Sequence, residues 1–297
     1  MPNKNAIFDS LIPGFVSAGI FMIMVVSGLG FPFLFLSLLP IFSSGLGKVP
    51  KNAFWGGIIA SILIALLTGS ESLFIVFFIL FALPAWYLTY LARHALIIGE
   101  QKLWYPVGVI IAHLSIYACL LICLMVVYYI QDSGSVVTAV SEKIYAAFEE
   151  FPPEYNEIVE VMATKWSFMV FSMLAWMWAI ALYAHAWLAN KRLIHTGKAN
   201  RESLAVTPFI MPGWVMYFLL VSALASLIGS ESMKFAAKAC FITLLMPYFF
   251  LGLAIIHRMC AEWPNKRFFL FFMYLMIVSQ VWVMLFVAVI GIINHLI

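Results

Sequence analysis

With 297 residues, 65% of them hydrophobic, and a mean hydropathy of +1.06, the chain carries more apolar surface than a water-soluble core can bury. Its 16 Lys and Arg against 13 Asp and Glu give a formal charge of +3, which basic membrane-flanking loops explain without a nucleic-acid partner. The charges fall in short clusters between long apolar runs, the pattern of an integral membrane protein.

A helix needs about 20 apolar residues to cross about 30 Å of hydrocarbon, so polar clusters serve as span boundaries. On that basis the sequence predicts an all-α, polytopic transmembrane helix bundle of about nine spans. They lie at 10–29, 31–47, 53–69, 72–93, 104–130, 166–189, 209–229, 237–257 and 268–294. The first reads as a retained anchor, because no small-x-small cleavage site leads into a soluble domain. Pro32 and Pro40 interrupt the second, which reads either as a crossing or as a re-entrant segment. Sorting Lys and Arg by alternate loops places twelve on one side, including a basic loop at 190–208. Only Lys143, Lys165, Lys234 and Lys238 fall on the other. The positive-inside rule then predicts a cytoplasmic N-terminus and, for an odd number of spans, an extracytoplasmic C-terminus in a bacterial cytoplasmic (inner) membrane.

The loop 131–165, on the predicted outer face, holds seven of the thirteen acids. Val136, Val140, Ile144 and Phe148 recur at helical spacing and predict an amphipathic helix that Pro152-Pro153 ends, with a second helix following. This segment reads as an interfacial cap or as a lid. A weak repeat sets Gly69-Ser70-Glu71-Ser72 beside Gly229-Ser230-Glu231-Ser232, so spans 3–5 and 7–9 read either as parallel copies or as two turns using the same residues.

Polar and aromatic groups inside spans are the candidate binding residues, since each costs free energy unless paired or wetted. His113 and Tyr117 in the fifth span, Trp176 in the sixth and Gln280 in the ninth form the candidate substrate-binding set; each also reads as helix-packing chemistry. The small-xxx-small pairs Gly14 with Ala18 and Gly56 with Ala60, Gly57 with Ser61 and Ala175 with Ala179 predict close helix approach, within the chain or with a partner. Cys119 and Cys123, one helical turn apart, read as packing rather than as a metal site. The sequence holds no zinc-protease motif, phosphate-binding Lys loop or nucleophile elbow, so it predicts no enzyme, cofactor or metal. Every acid lies at a span boundary or in a loop, which argues against a proton-coupled pump.

The run Phe209-Ile210-Met211-Pro212-Gly213-Trp214, followed by Pro247-Tyr248-Phe249-Phe250-Leu251-Gly252-Leu253-Ala254-Ile255-Ile256-His257, a short basic loop and a final long helix, resembles the YybS-like predicted membrane proteins. Leu251 stands where that family usually has glutamine, and the N-terminal half fits only in hydropathy. The family is distantly similar to the substrate-binding subunits of energy-coupling-factor transporters. That resemblance implies a subunit that binds or translocates a small, vitamin-like solute, with a separate ATPase module as its energising partner. The rival expectation is a non-transporting accessory or scaffold protein of the bacterial envelope, whose partners besides the lipid bilayer are other envelope proteins.

Overall fold

The computed structural model describes residues 6–28, 34–98, 101–201, 203–204 and 209–297. The described chain is helical but for one hairpin, in agreement with the predicted all-α membrane bundle. Thirteen α-helices follow in order among the described residues. They begin with α1 (Ala6–Val26), α2 (Leu38–Gly47), α3 (Pro50–Thr68), and α4 (Glu71–Phe77), which runs through a π turn at Phe78–Ala82 into α5 (Leu83–Arg93). After the hairpin β1 (Ala95–Ile98) and β2 (Gln101–Trp104) come α6 (Val107–Ser133), α7 (Val136–Ala147), α8 (Asn156–Lys165) and α9 (Ser167–His195). The last are α10 (Trp214–Ala225), α11 (Glu231–Met259), α12 (Lys266–Ser279) and α13 (Val281–Leu296).

Among the described residues six segments are long and apolar enough to cross a membrane: α1, α3, α4–α5, α6, α9 and α11, with α12 and α13 counting as a seventh if the bent pair is one span. The expected nine are therefore not all full-length helices. In the segment predicted at 31–47 the described residues form the apolar helix Phe35–Gly47, with 31–33 and so Pro32 lying outside them, and in the segment at 209–229 they form Trp214–Ala225. At about 1.5 Å per residue, both fall short of a hydrocarbon thickness of about 30 Å. Pro212 and Gly213 delay α10, because proline lacks a backbone donor and disfavours a helical residue before it. The predicted span 268–294 is likewise not one rod, since its helices bend by 118° where Gln280 takes an extended backbone (φ −135°, ψ 103°).

The two Gly-Ser-Glu-Ser copies adopt one local structure. Gly69 and Gly229 both have positive φ values, 66° and 100°, which glycine adopts without strain; Gly69 ends α3 directly, whereas Gly229 lies in the turn after Ser226, which closes α10. Ser70 and Ser230 then cap the next helix, each accepting a backbone N–H at 3.3 Å, from Leu73 and Met233 respectively. Glu71 and Glu231 occupy first turns, where the helix dipole favours an acid. Capping chemistry alone accounts for these four shared residues.

The chain divides into two compact units, residues 1–110 with 177–208, and residues 111–176 with 209–297. In the first unit, α1 lies on α3 through Gly14 and Gly56. A Cβ at Gly14 would come within 2.7 Å of the Ile59 Cγ2, and that at Gly56 within 3.7 Å of the Ser10 carbonyl. Ala18 and Ala60 are buried on the same faces, so these predicted small-residue pairs serve packing inside the chain. Gly57 packs in the same way against Ala82 of the π turn.

Helix ends in this unit are satisfied by the basic loop and by Arg93 of α5. Asn200 donates to the Gly47 carbonyl at 2.6 Å, Arg93 to the Leu46 carbonyl at 3.2 Å, and Arg201 to the Ala92 carbonyl at 2.8 Å. Each closes a C-terminal carbonyl that the helix itself leaves open, where a cation is also favoured by the dipole. Arg201 is buried and stacks over Trp104 of the hairpin at 5.7 Å, so part of the 190–208 loop is structural.

In the second unit α11 is the enclosed element, buried over more of its length than any other of the membrane-length helices described. Helix α13 packs on it backbone to backbone. A Cβ at Gly252 would overlap the Val287 carbonyl, and one at Gly291 would overlap the Tyr248 carbonyl. Residue numbers rise along one helix as they fall along the other, so the pair is antiparallel. The predicted 131–165 segment is a helical pair: Val136, Val140 and Ile144 of α7 are buried, and Ser141 Oγ donates to the Ala163 carbonyl of α8 at 2.7 Å.

Candidate functional site

The sequence-derived candidates are placed as follows. His113 and Tyr117 sit one turn apart on α6, both half-buried, and the His113 ring meets Trp214 edge-on at 5.3 Å. Trp176 is buried; its indole donates to the Ile242 carbonyl at 3.0 Å and its ring lies 5.4 Å from Phe249. Gln280 is exposed at the break between α12 and α13. Trp176 therefore joins α9 to α11, while Gln280 marks a backbone irregularity outside the buried core.

Two other aromatics of α9 also spend their polar atoms on backbone carbonyls. Tyr183 donates to Leu204 at 2.6 Å, and Trp178 donates to Leu80 at 2.7 Å. The second bond has a specific cause. Pro84 has no N–H to give the carbonyl four residues earlier, which is that of Leu80, and the adjoining π turn accommodates the same defect. Within a membrane such a carbonyl needs a donor from a neighbouring helix, and Trp178 supplies one.

Cys119 and Cys240 exchange long thiol contacts with each other's backbone carbonyls, at 3.7 and 3.8 Å, and so fasten α6 to α11. Among the described residues no group of three or more His, Cys, Asp or Glu is arranged to hold a metal ion.

A cavity of about 310 Å³ opens where four elements of the second unit meet. The first two turns of α11 contribute Glu231, Lys234, Phe235 and Lys238, a spacing that puts all four on one helical face. The end of α8 supplies Thr164 and Lys165, the start of α9 supplies Ser167 and Phe168, and α7 supplies Val137. Phe235 and Ser167 are buried, forming the floor, while Lys238 holds its ammonium 5.6 Å from the centre of the Phe168 ring. Glu231 is the one acid of the lining, and none of Lys165, Lys234 and Lys238 comes within ion-pairing distance of a carboxylate of the described residues. The long helices α9 and α11 both begin at this cavity, adding the positive ends of their dipoles.

None of these cavity residues stands out as a site in the sequence. The signal is present nonetheless: three of the four cations assigned to the cation-poor side converge here, and two of them stand at i and i+4 of one helix.

Long apolar helices, termini closed by caps and carbonyl-satisfying aromatics define a multi-pass helical membrane protein, in contact with the lipid bilayer. The chain belongs to the DUF2232 family of predicted membrane proteins, whose sequence profile matches residues 15–294. No curated protein and no solved structure matches the chain.

Proposed function

We propose that this protein is a membrane-embedded subunit that binds a small solute, and that the lysine-lined cavity of the second unit, rather than His113, Tyr117, Trp176 or Gln280, is the binding site. The observation that carries this reading is the convergence of three lysines, against the single acid Glu231, on one partly apolar cavity. Clustered like charges cost free energy, and an anionic or strongly dipolar guest relieves that cost. With the short helices at Phe35–Gly47 and Trp214–Ala225 counted as crossings, the distribution of Lys and Arg supports a bacterial cytoplasmic membrane with the N-terminus inside and the cavity on the extracytoplasmic face. The chain has no nucleotide-binding motif, so translocation of the solute draws on a separate energising partner.

A thermal-shift screen of water-soluble metabolites against the detergent-solubilised protein tests the reading. At least one compound is expected to raise the unfolding temperature of the wild type, and Lys234→Glu is expected to abolish that rise while leaving the unliganded transition in place. A hit that stabilises Lys234→Glu equally well moves the site elsewhere.

One observation favours the accessory reading. Phe151, Tyr155, Ile158 and Met162 are exposed at helical spacing along and just before α8, an apolar stripe suited to the bilayer interface or to another envelope protein. Co-purification of a protein that is released on deletion of 134–163 would support it.

A further inference from the structure

Resting on the solute-binding reading above, we infer that the cavity recognises a dianionic phosphate monoester group. The lining carries three lysines and one glutamate, an excess of two positive charges, and none of the three lysines is within ion-pairing distance of a carboxylate of the described residues. The balance matches a phosphate monoester, which near neutral pH carries between one and a half and two negative charges. Residue type points the same way. A planar carboxylate is best met by the two-pronged guanidinium of arginine, and no arginine lines this cavity. Compact ammonium groups arriving from separate helices suit a tetrahedral group with oxygens facing several directions, as lysines do in other phosphate sites.

The positions of the elements add to this preference. The cavity lies at the N-terminal turns of both α9 and α11, each 29 residues long, where exposed N–H groups and the macrodipole favour an anion. These helix ends sharpen a site that the lysines and the cavity already define. Val137, Phe168 and Phe235 form an apolar wall beside the cationic one, so the phosphate is attached to a carbon skeleton rather than free. Phosphate monoesters reach such a boundary position from two sources, a water-soluble phosphorylated solute or a lipid with a phosphomonoester headgroup, and both present the same group to the lysines.

Binding to the full-length protein in phosphatidylcholine nanodiscs tests the inference, with glycerol 3-phosphate as the soluble probe, glycerol as its uncharged control, and nanodiscs doped with phosphatidic acid as the lipid arm. A phosphomonoester in one arm is expected to bind, and the arm that responds identifies the source. Lys234→Gln and Lys238→Gln are each expected to weaken that binding about tenfold, and Lys234→Arg to retain most of it. Affinity for glycerol 3-phosphate is expected to fall from pH 7.5 to pH 5, because the second phosphate pKa near 6 converts the dianion to a monoanion. Equal glycerol and glycerol 3-phosphate binding, or Lys→Gln variants that fold and bind unchanged, overturns the phosphate assignment. If both phosphate arms are silent while a metabolite still stabilises the protein through Lys234, the assignment falls and solute binding stands. If the metabolite screen is silent as well, both fall.

Discussion

Replacing Gly252 by leucine is expected to destabilise the protein severely, because it separates α11 from α13. Even an alanine Cβ at this position would overlap the Val287 carbonyl, and the reciprocal site at Gly291 faces the Tyr248 carbonyl. These obstructions are backbone atoms, which cannot rotate away as a side chain can. Overpacking typically costs about 1–3 kcal/mol, and the larger end applies where the neighbour is another helix's main chain. Gly252→Leu and Gly291→Leu are each expected to lower the thermal unfolding midpoint in detergent markedly, Gly252→Ala less so. Gly19→Leu serves as the control, since a Cβ there meets nothing within 4 Å. Equal midpoints for Gly252→Leu and Gly19→Leu would show that α13 does not pack on α11 in this way.

The second large effect is expected at Trp178. Phenylalanine keeps most of the buried ring volume but removes the N–H that reaches the Leu80 carbonyl at 2.7 Å. Leaving a buried carbonyl without its partner costs about 1–3 kcal/mol. Pro84 is the source of the vacancy, so the two residues are energetically coupled. Pro84→Ala restores a backbone donor at the right place in the helix, and in that background Trp178→Phe is expected to cost far less. A double-mutant cycle on unfolding free energy measures this directly. Strict additivity of the two substitutions would mean that the indole bond does not compensate for the proline.

What could be read from the chain depended on whether the cause was local. The amphipathic 136–147 helix, its end before Pro152-Pro153 and the capped turns at Gly69 and Gly229 all rest on residues within one or two helical turns of one another, and they were legible. So were the Gly14 and Gly56 contacts, since small residues at four-residue spacing announce close approach. The break at Gln280 was not legible, because apolar residues continue on both sides with no proline or nearby glycine to mark it. Length alone misled at 209–229, where an apolar stretch of spanning size contains the Pro212-Gly213 start that shortens its helix. The Gly252–Val287 contact and the pairing of Trp178 with Pro84 are tertiary, and each residue taken singly reads as ordinary membrane-helix composition. The lysine cavity was hidden for the same reason. Lys165 lies far along the chain from Lys234 and Lys238, and only the folding of α8 and α9 against α11 brings them to one space.

Whether this cavity holds a small solute is tested most directly by native mass spectrometry of the gently extracted full-length protein beside the Lys165→Ala/Lys234→Ala/Lys238→Ala triple variant. A bound small molecule is expected on the wild type and is expected to be missing from the folded variant. Wild type and variant carrying the same adduct, or a wild type that is bare from every mild extraction, would contradict solute binding at these lysines.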